Sequence, residues 1–270
     1  MTNSRATTPP NNLRCREVLL GLVVLFVPVT LNFAFAQQSA QSVQAPLNAE
    51  QVVERLVQMN VHRVQALQSY QGTRTYRAEY HGLGGARAAE MVVRVAYQSP
   101  GLKEFSVQSA TGSKLIIDKV FKKLLDAEKE ALTAESQRRS ALTEDNYRFT
   151  MLGYEDGPSG AVYVLRVEPR SSEKFLYRGK IWVDASDFAV VKLEAEPARN
   201  PSFWTKKTEI VHTYSKIGDF WLPARNHSIT AIRLGGHAEL TIDYKDYEIT
   251  AAGGLGGGSV SNTTSRVGRR

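Results

Sequence analysis

Between Ser69 and Thr250 the chain is cut at short, regular intervals by turn-forming residues, and this punctuation constrains the fold more than any other feature. The breaks fall at Gly82-Leu83-Gly84-Gly85, Ser99-Pro100-Gly101, Gly157-Pro158-Ser159-Gly160, Pro197 to Pro201, Lys216 to Asp219 and Gly235-Gly236. The Thr/Tyr/Val-rich segments between them are of strand length, about 8 to 13 residues. Such spacing predicts an antiparallel meander.

Two stretches depart from this texture. Asn48 followed by Gln51 is a capping-box pattern, after which Val52, Val53, Leu56, Val61, Val64 and Leu67 recur near helical spacing up to Tyr70. Between Gly112 and about Leu132, Ile116, Ile117, Val120, Phe121, Leu124 and Leu125 form a second, wide apolar stripe, with Asp118, Lys119, Lys122, Lys123 and Asp126 on the other side. Ala134 to Asp145 is polar and reads as a loop or short helix before strands resume at Tyr147.

The segment Leu176 to Ala195 reads as a hairpin around Asp184-Ala185-Ser186-Asp187, with Val183 opposite Phe188 and Ile181 opposite Val190. One face then holds Ile181, Val183, Phe188 and Val190, and the other Trp182, Ala189, Val191 and Leu193. A sheet with one wet face alternates cleanly. Apolar residues on both faces predict a strongly curved sheet whose concave side is covered by helices or a ligand. Pro223 marks an edge strand or a bulge, because proline cannot donate to a central ladder.

The only cysteine, Cys15, and the only long apolar run, Val18 to Ala36, lie at the start of the chain. Arg5, Arg14 and Arg16 precede the run, Pro28 and Asn32 interrupt it, and Ala34-Phe35-Ala36 fits a leader-peptidase site, so residues 1–36 are expected to be a secretory signal. Its length would also suit an uncleaved anchor, against which Pro28, Thr30 and Asn32 weigh. The expected organisation is a leader at 1–36, a Gln/Ser/Ala linker at 37–45, a folded domain at 46–250 and a disordered glycine-rich tail at 251–270. Without cysteine beyond the leader, no disulfide can staple the domain, and its stability must come from an ordinary core. The net charge of +7 resides mostly in the leader and the tail, which removes the case for a nucleic-acid partner.

No phosphate-binding glycine loop, nucleophile elbow or His-Glu-x-x-His pair occurs, and no catalytic constellation can be assembled, so the chain reads as a non-enzyme without cofactor. Of the five histidines, His212, His227 and His237 fall on what should be consecutive strands, but none has metal-ligand spacing. Aromatic clusters are more suggestive: Ser202-Phe203-Trp204, Phe220-Trp221-Leu222-Pro223, and Trp182 within Tyr177 to Asp184. They read either as core or as a wall contacting an apolar ligand.

The order of elements, with Tyr70-x-Gly72 at the start of the first strand, resembles the periplasmic lipoprotein carriers of the LolA/LolB-like family. The more specific similarities are Tyr177-Arg178-Gly179-Lys180-Ile181-Trp182-Val183-Asp184 with the return strand Phe188 to Ala195, and Asn146-Tyr147-Arg148-Phe149 with Leu152-Gly153. Ser202-Phe203-Trp204, and Gly218-Asp219-Phe220-Trp221-Leu222-Pro223 with Asn226, also look like segments of outer-membrane lipoprotein-sorting proteins. The resemblance implies an α+β fold, a curved antiparallel half-barrel with helices covering the concave face. It implies a periplasmic, monomeric carrier or chaperone whose apolar groove holds a lipid or an acylated lipoprotein, handed between inner- and outer-membrane partner proteins. Exposing each methylene to water costs roughly 0.8 kcal/mol, so a 16-carbon chain needs on the order of 10 kcal/mol of shelter. On this reading the groove and lid residues are Ile117, Phe121, Leu124, Trp182, Phe203, Trp204 and Trp221. No motif matches the carriers' lid arginine. The same half-barrel also resembles periplasmic stress sensors that bind a partner protein, which is the alternative function.

Overall fold

A computed structural model describes residues 46–157, 160–200, 202–233 and 235–252. The expected leader and the tail beyond residue 252 lie outside these described residues. Helix α1 (Ala49–Ala66) starts at the expected capping box: Asn48 Oδ1 accepts from the Gln51 N–H at 2.9 Å and Gln51 Oε1 accepts from the Asn48 N–H at 3.1 Å. The meander β1 (Leu67–Gly82), β2 (Gly85–Gln98) and β3 (Leu102–Gly112) follows. A helical excursion then runs through α2 (Lys114–Ile116), a π-helical turn (Ile117–Phe121), α3 (Lys122–Ala131) and α4 (Ala134–Ser140). The remaining strands are β4 (Tyr147–Gly157), β5 (Gly160–Pro169), β6 (Tyr177–Asp184), β7 (Val190–Pro197), β8 (Thr205–Ile217), β9 (Phe220–Ile232) and β10 (Gly236–Ala251).

All ten strands form one antiparallel sheet in the order β3-β2-β1-β10-β9-β8-β7-β6-β5-β4. Its ends, β3 and β4, do not meet, so the sheet is a curved half-barrel with two free edges, and the fold is α+β. The long pairing of β1 with β10, from Leu67 opposite Ala251 to Gly82 opposite Gly236, brings the two ends of the domain together.

Two apolar clusters share the concave face. Val52, Val53 and Leu56 of α1 pack on Tyr147, Leu165, Val167, Ile181, Val183 and Leu193 of β4 to β7. Ile116, Phe121 and Leu125 of the helical segment 114–131 pack on Tyr76, Met91, Val93, Val95 and Ile242 of β1, β2 and β10. A helix thus covers each half of the trough.

Three sequence expectations are corrected. Only the first half of the α1 stripe is buried; Val61 and Val64 are exposed, and the last turn is held instead by Arg63, which donates to the Asp187 carbonyl and lies 3.8 Å from the Asp187 carboxylate. In the second helix the π turn inserts a residue per turn, so Phe121 rather than Val120 follows Ile116 onto the sheet. Val120 is left 38% exposed. In the β6–β7 hairpin Val183 pairs with Val190 and Ile181 with Leu193, because a bulge after Trp182 and a left-handed Phe188 (φ 55°) lengthen the turn. Leu193 is therefore buried beside Ile181. Of the two expectations for Pro223, an edge strand or a bulge, the second holds: it sits in β9, a central strand, at a bulge where Tyr214 pairs with Pro223 and Thr213 with Arg225.

Candidate functional site

One row of side chains crosses the concave face from β2 to β5. Met91, Tyr76, Ile242, Asn226, His212, Leu193, Ile181 and Leu165 are successive cross-strand partners from β2 to β5. Both ends of the row are apolar, each lying in one of the two clusters. The middle is polar: Asn226 and His212 lie on β9 and β8, between the regions that the two helices cover.

A charged cluster borders this polar seam. Arg74 of β1 is 4% exposed, and its guanidinium donates to both carboxylate oxygens of Glu128 on α3, at 3.0 Å for Nη2 to Oε1. Lys103 of β3 donates to the same Glu128 Oε1 at 2.6 Å. Glu128 therefore ties the helix to two strands. The Arg74 guanidinium also lies 4.9 Å over the Tyr244 ring. Burial opposes the charge on Arg74, but the Glu128 bond outweighs it and raises its pKa. Glu128 is likewise opposed by burial, yet Arg74 and then Lys103 hold it below the usual carboxylate range. Burial pushes the Tyr76 and Tyr244 hydroxyls up, so both stay neutral beside this charge pair.

His212 is stacked on Tyr214 at 4.6 Å and on Tyr244 at 6.0 Å between ring centroids. Its Nε2 is buried without a hydrogen-bond partner. Burial, aided by the nearby Arg74 charge, brings its pKa down to about 4, so the ring is neutral at pH 7. A neutral imidazole nitrogen with an open hydrogen-bond position can meet one polar group entering the seam.

The structure disperses the seven sequence-predicted site residues. Phe121 is fully buried beneath the helix, with Ile117 and Leu124 half-buried beside it. Trp182 has the opposite strand parity to Ile181 and Val183; its Nε1 donates to Glu155 at 2.7 Å and Lys192 lies over its ring at 4.5 Å. Trp221 donates to Asp187 Oδ2 at 2.8 Å, where Lys216 and Arg63 also converge. Phe203 and Trp204 lie at the β7–β8 connection, 74% and 54% exposed, in edge-to-face contact with each other. Only Ile117, Phe121 and Leu124 belong to one cluster.

Arg74, Lys103, Glu128 and His212 were not singled out by sequence, although two signals existed. Arg74 shares the strand parity of the apolar Tyr76 and Ala78, and Glu128 extends the stripe of Phe121, Leu124 and Leu125 by one turn. Among the described residues no group of His, Cys, Asp and Glu side chains could hold a metal ion. His227 pairs with Thr241 and Val211, while His237 stacks on His81 at 5.2 Å, so His212, His227 and His237 do not converge. An open hollow of about 590 Å³ lies on the opposite face of β1, β2 and β3, lined by Ser69, Gln71, Ala96, Gln98, Leu102 and Glu104 among others, which alternate with the concave Tyr70 and Tyr97. It is distinct from the filled space around Phe121.

No family model matches the sequence, and no curated protein does. Among solved structures, a DUF1329 family protein from Desulfovibrio piger aligns over 76% of this chain and 94% of its own at 11% identity, with a TM-score of 0.38. A LolA superfamily protein from Nitrosomonas europaea aligns over 76% and 94% at 13% identity, TM-score 0.34. The Pseudomonas aeruginosa MucA/MucB complex contributes a chain aligned over 75% and 100% at 11% identity, TM-score 0.26.

Proposed function

We propose that the protein is an exported carrier that shelters an acyl chain, or an acylated lipoprotein, on the concave face of its half-barrel. The observation that carries this reading is the segment 114–131. Its apolar side lies on the β1, β2 and β10 surface through Ile116, Phe121 and Leu125, while Arg74 and Lys103 hold its Glu128 at the margin. A helix that fills a trough with its own side chains, and is tied there by charge, can give way to a cargo that replaces the same apolar contacts. The residue resemblance to the LolA/LolB-like carriers supports the same reading. In this account Phe121 occupies the space the cargo would take.

The test is titration of residues 45–270, which keep the whole of the described domain, with a fluorescent fatty acid. Saturable one-to-one binding that weakens at least tenfold in Leu124→Glu, a half-buried position, is expected. No binding at tens of micromolar probe sinks the carrier reading. One observation favours a second reading, recognition of a partner protein: β3 offers an exposed, unpaired edge, while Phe121 and Leu56 are already packed at 1% exposure or less. A stoichiometric protein partner recovered in place of lipid is its signature.

A further inference from the structure

We infer that one end of the sheet is a docking surface for an anionic phospholipid bilayer. The inference stands on the rim of the molecule and does not require the carrier reading. Because β2, β1, β10, β9, β8 and β7 are neighbours in that order, the β1–β2 turn, the β9–β10 turn and the β7–β8 connection lie side by side at one end. The register fixes this: Gly82 is opposite Gly236, and Thr205 is opposite Ile232.

Three large apolar side chains project from these turns. Leu83 is 71% exposed, Phe203 74% and Trp204 54%. Phe203 and Trp204 are held in place by local contacts, since the Arg233 N–H donates to the Trp204 carbonyl at 2.9 Å and the Arg233 guanidinium lies 5.3 Å from the Phe203 ring centre. Four exposed cations, Arg87, Arg199, Lys206 and Arg233, surround them, and none is in a salt bridge among the described residues. The Arg87 side chain reaches over the β1–β2 turn itself, to 3.6 Å from where a side chain on Gly84 would begin. Of the carboxylates on the neighbouring strands, Glu196 and Glu209 are paired with Lys207, while Glu79 and Glu239, opposite each other on β1 and β10, lie beside His81 and His227. At the opposite ends of the same sheet the turns carry Asp184, Asp187 and Asp219 instead.

Exposed aromatic and aliphatic side chains ringed by unpaired cations are complementary to a bilayer interface: tryptophan and phenylalanine settle at headgroup depth and the cations meet anionic headgroups. At the other end Asp187 is paired with Lys216 and Arg63 and Asp184 is buried, so the orientation is set by attraction at the cationic rim. A partner with a purely apolar face would leave the four cations unmatched.

The experiment is flotation of residues 45–270 with vesicles of phosphatidylethanolamine and phosphatidylglycerol at 3:1, against phosphatidylcholine vesicles. Arg266, Arg269 and Arg270 of the tail are common to all variants, so differences report the rim. Flotation with the anionic vesicles is expected to fall at least fivefold in a Phe203→Ser, Trp204→Ser variant, and similarly in an Arg199→Ser, Lys206→Ser, Arg233→Ser variant. In 0.5 M salt the wild type is expected to lose most of its binding. Thermal unfolding by circular dichroism, unchanged in both variants, separates loss of docking from loss of fold. Absence of flotation by the wild type, or equal flotation by the wild type and both folded variants, overturns the inference. Preference for phosphatidylcholine overturns it as well.

Discussion

At the residue scale, His212 Nε2 is the one buried side-chain polar atom without a hydrogen-bond partner among the described residues. The Arg74–Glu128 pair is set where desolvation is severe on one side only: Arg74 has a side chain 5% exposed and Glu128 one 29% exposed. Removing one partner of a buried pair costs about 3–5 kcal/mol, because the other charge is left uncompensated. Glu128→Gln is therefore expected to lower stability by on the order of 3 kcal/mol in urea unfolding at pH 7, at the low end of that range because Glu128 meets some water. His212 supplies a pH dependence of known sign. Its folded pKa of about 4 lies below its unfolded value, so the unfolded chain takes up a proton first as pH falls. The associated stability is complete above about pH 6.5 and is lost as pH drops toward 4, a change on the order of 3 kcal/mol. Unfolding at pH 4, 5, 6 and 7 is expected to show a shallower decline in His212→Gln than in the wild type; an identical decline would remove His212 from the account.

At the element scale, the helical segment 114–131 is placed by one residue of excess. The π turn moves Phe121 onto the sheet and Val120 off it. Phe121→Ala is expected to cost about 3–5 kcal/mol, the range for emptying a packed aromatic site, and Val120→Ala less than about 1 kcal/mol; thermal melts of the two variants check the contrast. The handover from β3 into this segment depends on Gly112, at φ 90°, where a Cβ would sit 2.4 Å from the Ala88 carbonyl oxygen. Gly112→Ala is expected to destabilise by more than an exposed alanine substitution and to raise amide exchange in 114–131. Periodicity located both helices and most strands because burial of one side repeats at the period of the element. The capping box placed the start of α1 to the residue, since its hydrogen bonds are local. The π turn and the hairpin register were not legible for a related reason. Each adds a single residue whose cost is offset only by tertiary packing, Phe121 on Tyr76 in one case and Leu193 beside Ile181 in the other.

At the scale of the whole molecule, an unclosed sheet needs something on its concave side, and two helices supply it here. The excess of apolar residues on both strand faces signalled such a covered trough, but not which side chains meet. Trp182 and Trp221 carry the same chemistry as groove aromatics, yet each spends its indole N–H on a carboxylate, Glu155 and Asp187. Phe203 and Trp204 stand at the rim instead of in the trough. Composition cannot separate these fates, because an amphipathic ring suits a core, a clamp and an interface alike. What the architecture does offer is a helix that fills apolar space and is fastened by charge, a combination suited to taking up an acyl chain and giving it back. The most direct test is native mass spectrometry of the protein purified from its own cells. The account predicts a population heavier by the mass of one acylated molecule, lost when competing fatty acid is added. A bare chain, or a single stoichiometric protein partner with no lipid, would contradict it.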